Sequence, residues 1–200
     1  MQRKRFTSIV GILTVAIFAL ASGALPQATP SKEAPKPTKP TKSPSAEILL
    51  AWNDIGGRLV DMAEDFPEDK YDFKATPAQR TFAENLLHVA TDYYLEISAI
   101  KGSQVGPKIV PEGDLKRTDY PTKAAVVKLL KEAVTQGAAL IQEQSDAGLT
   151  KECKSPYENI LQHVSYVWAG AMEHAGEHYG QLVVYYRLSG MVPPASRPKK

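Results

Sequence analysis

Apolar residues recur at spacings of three and four in four separate stretches of this chain, and each stretch reads as an amphipathic helix. The first runs from about Ala46 to Glu64, with Leu49, Trp52, Ile55, Leu59 and Met62 on one face, Ser45 as N-cap and Pro67 as terminator. Its Gly56-Gly57 pair reads either as a weak point or as a place where another helix comes close. The second runs from about Pro77 to Lys101, capped by Thr76, striped by Phe82, Leu86, Val89, Tyr93, Ile97 and Ile100, and ended by Gly102. The third runs from about Thr122 to Ala147, with Pro121 at its start, Val127, Leu130, Val134 and Ile141 on its face, and Gly148 at its end. The fourth runs from about Ser155 to Ser189, opened by Ser155-Pro156 and stopped by Gly190 and Pro193-Pro194. Strand alternation and internal repeats are not evident. Four apolar stripes bury best against one another, so the expected fold is all-α: an antiparallel four-helix bundle over residues 46–200. The segment 102–120 exceeds the usual loop length and is expected to cap a bundle end or form a lid.

The stretch before the bundle has a different character. MQRKR is followed by an uncharged, mostly apolar run from Phe6 to Ala21 and by small residues at Ser22-Gly23-Ala24. Residues 1–24 therefore read as a secretory signal peptide, which implies export to the periplasm or the extracellular space. An uncleaved anchor is the alternative; the run is short for a span, which needs about 20 apolar residues. No cysteine lies near the cleavage region, which sets lipoprotein attachment aside. Residues 25–45, rich in Pro, Lys, Ser and Thr, read as a disordered, solvated linker.

Net charge is +2 for the whole chain, but much of the basic charge sits in these N-terminal segments. From about Ala46 onward acids slightly outnumber bases, so the domain offers no electrostatic footprint for nucleic acid. Cys153 is the only cysteine, which excludes an intrachain disulfide. Lying between Glu152 and Lys154, it reads as a lone loop cysteine without a specific role.

The stripe of the fourth helix runs Ile160, Val164, Val167, Ala171, His174, His178, Gln181, Tyr185, Leu188. His174 and His178 stand where the pattern calls for apolar residues, four apart and hence neighbours on one face. Two imidazoles so spaced bind one divalent ion if another segment supplies a third ligand. The competing reading is two core histidines with hydrogen-bonded rings. Ala175 follows His174, so this is not the zincin helix motif, which needs Glu there. His163 lies roughly 16 Å earlier at helical rise and reads as structural or exposed. His88, on the second helix, lies roughly 140° from the centre of that helix's apolar stripe, so periodicity alone does not nominate it.

Two blocks, PEDKYDFKATPAQRTFAENLLHVA (Pro67–Ala90) and EHAGEHYGQLVVYYRLSGMVPPASRP (Glu173–Pro198), closely resemble exported members of the DinB-like superfamily. That resemblance implies a four-helix bundle in which one histidine of the second helix and two of the fourth hold a divalent metal. Carried over by motif, the ligands are His88 in LLHVA and His174 and His178 in HAGEHYGQ. The implied cofactor is a divalent ion, with zinc, nickel and iron all suited to imidazole. Asp92 and Glu177 are candidates to orient the imidazoles.

The activities the resemblance implies are those of metal-dependent thiol transferases and isomerases that use low-molecular-weight thiols; a metal-bound water adds a metal-dependent hydrolase of a small molecule to the expectation. A cytosolic thiol would be an awkward partner for an exported protein. The alternative is a non-enzymatic binding or structural envelope domain with a vestigial or stabilising metal site. A small-ligand site built on Trp52, Trp168 and the tyrosines ranks lower, because aromatics at helical spacing serve a core. A homodimer is compatible with the resemblance, and Tyr185, Tyr186 and the run Leu182–Val184 would serve it or a monomer core equally well. No membrane partner is expected for the mature domain unless the signal is retained.

Overall fold

Four helices carry the fold: α1 (Pro44–Asp65), α2 (Phe82–Lys101), α3 (Lys123–Leu149) and α4 (Val164–Leu188). They are seen in a computed structural model that describes residues 39–109 and 113–198. The expected signal peptide and all of the expected linker up to residue 38 lie outside those residues. Among the described residues, no helix is long and apolar enough to cross a membrane.

Each helix begins where a side chain satisfies its first free N–H groups. Ser43, not Ser45, caps α1, with Pro44 in the first turn. Ser45 instead turns its hydroxyl to Asp146 of α3, 2.5 Å away. Thr81, not Thr76, caps α2, and Glu84 closes a reciprocal capping box. Pro77 therefore lies in a turn before the helix. Thr122 caps α3. The fourth helix is nine residues shorter at its start than expected. A β-hairpin precedes it, β1 (Glu152–Lys154) paired antiparallel with β2 (Leu161–His163). Cys153 is thus a buried strand residue rather than a loop residue, and burial pushes its thiol pKa up.

The core is aromatic. Trp52 packs at a 42° tilt against Tyr93, 4.4 Å between centroids, and meets Trp168 edge-on at 5.1 Å, and all three rings are buried. The Trp52 indole N–H donates to the Val134 carbonyl at 2.8 Å. These tryptophans are packing, which removes them from any ligand site. Two glycines let α1 and α3 approach. A methyl group on Gly137 would lie 2.1 Å from Trp52, and one on Gly56 would lie 2.8 Å from Val134. Gly57 has nothing within 4 Å, so only Gly56 of the pair marks a close approach. On α4, Leu188 is 59% exposed and Gln181 is also exposed, so the buried face passes instead through Ala175, Leu182 and Tyr186.

Contacts along the helices set their directions. Ser45 meets Asp146 and Glu64 meets Lys131, so α1 and α3 are antiparallel. Asn85 meets His178 while Asp92 meets His174, so α2 and α4 are antiparallel. Trp52 meets Trp168 and Met62 meets Tyr186, so α1 and α4 run the same way. It follows that α2 and α3 also share a direction. The chain must therefore climb back along α2, a helix about 30 Å long, before α3 can start. That is the reason for the long connection after Gly102. It is a strap along α2 rather than an end cap: Val105 N–H donates to Ser98 Oγ at 2.9 Å, and Leu115 N–H donates to Thr91 Oγ1 at 2.9 Å.

Candidate metal centre

Alpha-helical geometry puts His174 and His178 on one face of α4, and the antiparallel neighbour α2 brings His88 opposite them. The ring centroids are 5.0 Å apart for His88 and His174, 4.7 Å for His88 and His178, and 4.6 Å for His174 and His178. One ring nitrogen from each lies within 4.8 Å of the other two. His178 is buried, while His88 and His174 are half-buried. His88 reaches α4 although it is off the expected stripe because α2 is buried over most of its circumference, including Leu86, Leu87, Val89, Ala90 and Thr91. His163 does not take part: it is exposed, sits in β2, and its Nδ1 lies 3.1 Å from the Thr150 carbonyl.

Each of the three rings has its Nδ1 engaged by an oxygen atom. His88 Nδ1 pairs with Asp114 Oδ1 at 2.7 Å. His178 Nδ1 pairs with Asn85 Oδ1 at 3.1 Å, and Asn85 directs its amide N–H to the Thr81 carbonyl at 3.0 Å, which leaves the oxygen facing the ring. Asp92 Oδ2 lies 3.0 Å from His174 Nδ1 and 3.4 Å from His88 Nε2. With protons on Nδ1, the Nε2 lone pairs are left for a common point. Asp92 was legible as an orienting group, being one turn from His88. Glu177 is exposed and serves no such role for His178. Asp114 and Asn85 were not identified from the pattern. Asp114 comes from the strap, and nothing in the sequence announced that the strap would pass His88.

The electrostatics follow the geometry. The Asp92 carboxylate raises the His174 pKa above the ordinary histidine value, against the effect of burial. Burial, with His174 and His88 close by, lowers His178 to about 4, so its ring is neutral at pH 7. Burial alone would raise Asp114, but the hydrogen bond to His88 and the nearby Arg80 hold it below the usual carboxylate range.

The donor set fits a divalent ion. His174 Nε2 and His178 Nε2 lie 3.1 Å apart. At that distance the two nitrogens can share a proton or, with both rings neutral and protonated on Nδ1, a cation. Around a tetrahedral ion with metal–nitrogen distances near 2.0–2.1 Å, ligand nitrogens fall about 3.4 Å apart. A neighbouring cavity of about 400 Å³ includes His88 and His174 in its wall, together with Asp92, Glu96, Tyr157 and Tyr166. It is large enough for a small substrate. His88 and His174 are therefore reachable from it, while His178 lies behind.

The sequence profile of the DinB superfamily matches residues 51–182. Among solved structures, a DinB-like protein from Bacillus cereus ATCC 10987 is similar, with a TM-score of 0.62 and 17% identity over 74% of this chain and 95% of that one. A DinB-like protein from Bacillus subtilis gives 0.59 and 19% identity over 76% of this chain and 96% of that one. YfiT from Bacillus subtilis, described as a probable metal-dependent hydrolase with an unusual four-helix bundle topology, gives 0.57 and 16% identity over 77% of this chain and 94% of that one. At these identities the likeness shows the fold. No curated protein sequence matches the chain.

Proposed function

The chain belongs to the DinB superfamily, and we propose that it is a metal-dependent hydrolase of a small molecule, with His88, His174 and His178 as the ligands of one divalent ion. The observation that carries this reading is the convergence of one ring nitrogen from each of His88, His174 and His178 to within 4.8 Å of one another, beside a cavity that includes His88 and His174 in its wall. YfiT, which shares the fold, supports the reaction class through its description.

A divalent ion held by three imidazoles supplies Lewis acidity, which activates water or polarises a carbonyl or phosphoryl oxygen. The chain's own residues prepare that chemistry. Asp114 and Asn85 hold the protons of His88 and His178 on Nδ1 and fix the ring orientations. Asp92 does the same for His174 and brings a compensating negative charge within 3.4 Å of His88. The cavity leaves the centre open on one side, as catalytic sites require and closed structural sites do not.

Export belongs to the same proposal and rests on the basic and apolar pattern of residues 1–24. An exported hydrolase needs no cytosolic thiol, which favours hydrolysis over thiol transfer. The test is a panel of ester, amide and phosphoester substrates with metal-loaded and chelator-treated protein. Hydrolysis that disappears with chelator and returns with added metal is the expected result. Loss of thermal stability on chelation, with no hydrolysis of any substrate, would instead make the ion a stabilising element.

A further inference from the structure

The cavity beside the three imidazoles has an imbalance in its polar groups. Glu96 lies in its wall, one helical turn beyond Asp92, and is only 4% exposed. Its Oε2 is buried and has no hydrogen-bond partner among the described residues. Its Oε1 is 3.5 Å from the Tyr157 hydroxyl, which also lies 3.3 Å from Asp92 Oδ1. One hydroxyl proton thus faces two carboxylate oxygens, and Glu96 Oε2 faces none. Among the described residues lining the cavity there is no Lys or Arg. An unpaired buried carboxylate is costly, and a native structure tolerates it where a ligand completes it. Burial and the nearby Asp92 both raise the Glu96 carboxyl well above the usual range.

We propose that the cavity takes substrates bearing a primary ammonium group, and that Glu96 is the residue that selects them. This rests on reading the adjacent imidazoles as a metal centre, which puts the scissile bond at His88 and His174 and the ammonium group toward Glu96. An ammonium supplies three N–H donors and the missing positive charge. The aromatic and aliphatic walls, including Tyr157, Tyr166 and Val167, suit its carbon skeleton, and aromatic faces attract cations. An anionic group placed toward Glu96 would instead meet two carboxylates with no Lys or Arg to receive it.

The test is calorimetric titration of the full chain with benzylamine, benzyl alcohol and benzoate, before and after chelation, with metal content measured on the same samples. On chelated protein, where the ion cannot serve as the anchor, benzylamine is expected to bind more tightly than the alcohol, and benzoate not to bind. Glu96→Gln, nearly isosteric, is expected to weaken benzylamine by roughly 10- to 100-fold, the range for hydrogen bonds to charged groups, and to leave metal content unchanged. Three results would each overturn the proposal: benzylamine that fails to bind the wild type, benzoate or the alcohol binding the chelated protein as well as the amine does, or Glu96→Gln keeping full amine affinity. Any of these with metal still bound removes the substrate class alone. Absence of metal binding removes the hydrolase reading instead. The comparison of the three probes needs no variant, so it stands even if Glu96→Gln fails to fold.

Discussion

Asp114 Oδ1 lies 2.7 Å from His88 Nδ1, across a connection that runs back along the helix carrying that histidine. The pairing ties the strap to the metal centre. It also gives the long connection a function besides returning the chain to the top of the bundle.

Removing that oxygen should weaken the ion's hold without disturbing the fold. Asp114 is a half-buried strap residue, so Asp114→Ala leaves the helical core intact. Partners that orient a ligand through its second nitrogen are worth about 10- to 100-fold in metal affinity. Competition titration with a metal-sensitive dye is expected to show a loss in that range for Asp114→Ala, with an unchanged far-ultraviolet dichroism spectrum.

The two adjacent glycines of α1 should respond in opposite directions. A methyl group on Gly57 would meet open space, so Gly57→Ala gains helix propensity and stabilises by about 0.5–1 kcal/mol. Gly56 faces Val134 and Gly137 faces Trp52, so Gly56→Ala and Gly137→Ala force the α1–α3 interface apart. Overpacking of this kind costs about 1–3 kcal/mol, measurable by denaturant unfolding.

Asp65 and Arg197 clasp the C-terminal segment to the end of α1, with Arg197 Nη1 donating to Asp65 Oδ1 at 2.8 Å. The hydrogen bond from Arg197 holds the Asp65 carboxyl below its ordinary value, although burial opposes it. A depressed carboxyl stabilises the fold fully above the unfolded-state value and loses that contribution as pH falls through the folded-state value. Arg197→Gln is therefore expected to melt below wild type at pH 7. The gap should narrow as pH drops below about 4. A gap that widens in acid would contradict the pairing.

Cys153 should be inert in the native state. Its side chain is buried in β1, and burial raises its thiol pKa. Labelling with an aromatic disulfide reagent at neutral pH should proceed only slowly on folded protein and rapidly in denaturant.

The helices were legible because each has at least one continuous apolar face. Where a helix started was harder to read. Thr76-Pro77 is a strong local start signal, yet Thr81 and Glu84 close a two-way cap, and that capping box was already visible as T-x-x-E in the sequence. The hairpin before α4 escaped because its strands are three residues long, too short to show alternation. His174 and His178 stood out as polar interruptions of an apolar face. His88 did not, because a helix packed by α3, α4 and the strap has no single stripe to interrupt; only the resemblance supplied it. Asn85 and Asp114 depend on which elements meet in space, and single-segment periodicity carries no such information.

An anomalous-scattering crystal structure of metal-replete protein would put the three-histidine centre to the test without intermediaries. It should contain one divalent ion per chain, with Nε2 of His88, His174 and His178 all coordinated. Protein that takes up no ion on titration, or an ion found away from these three nitrogens, would contradict it.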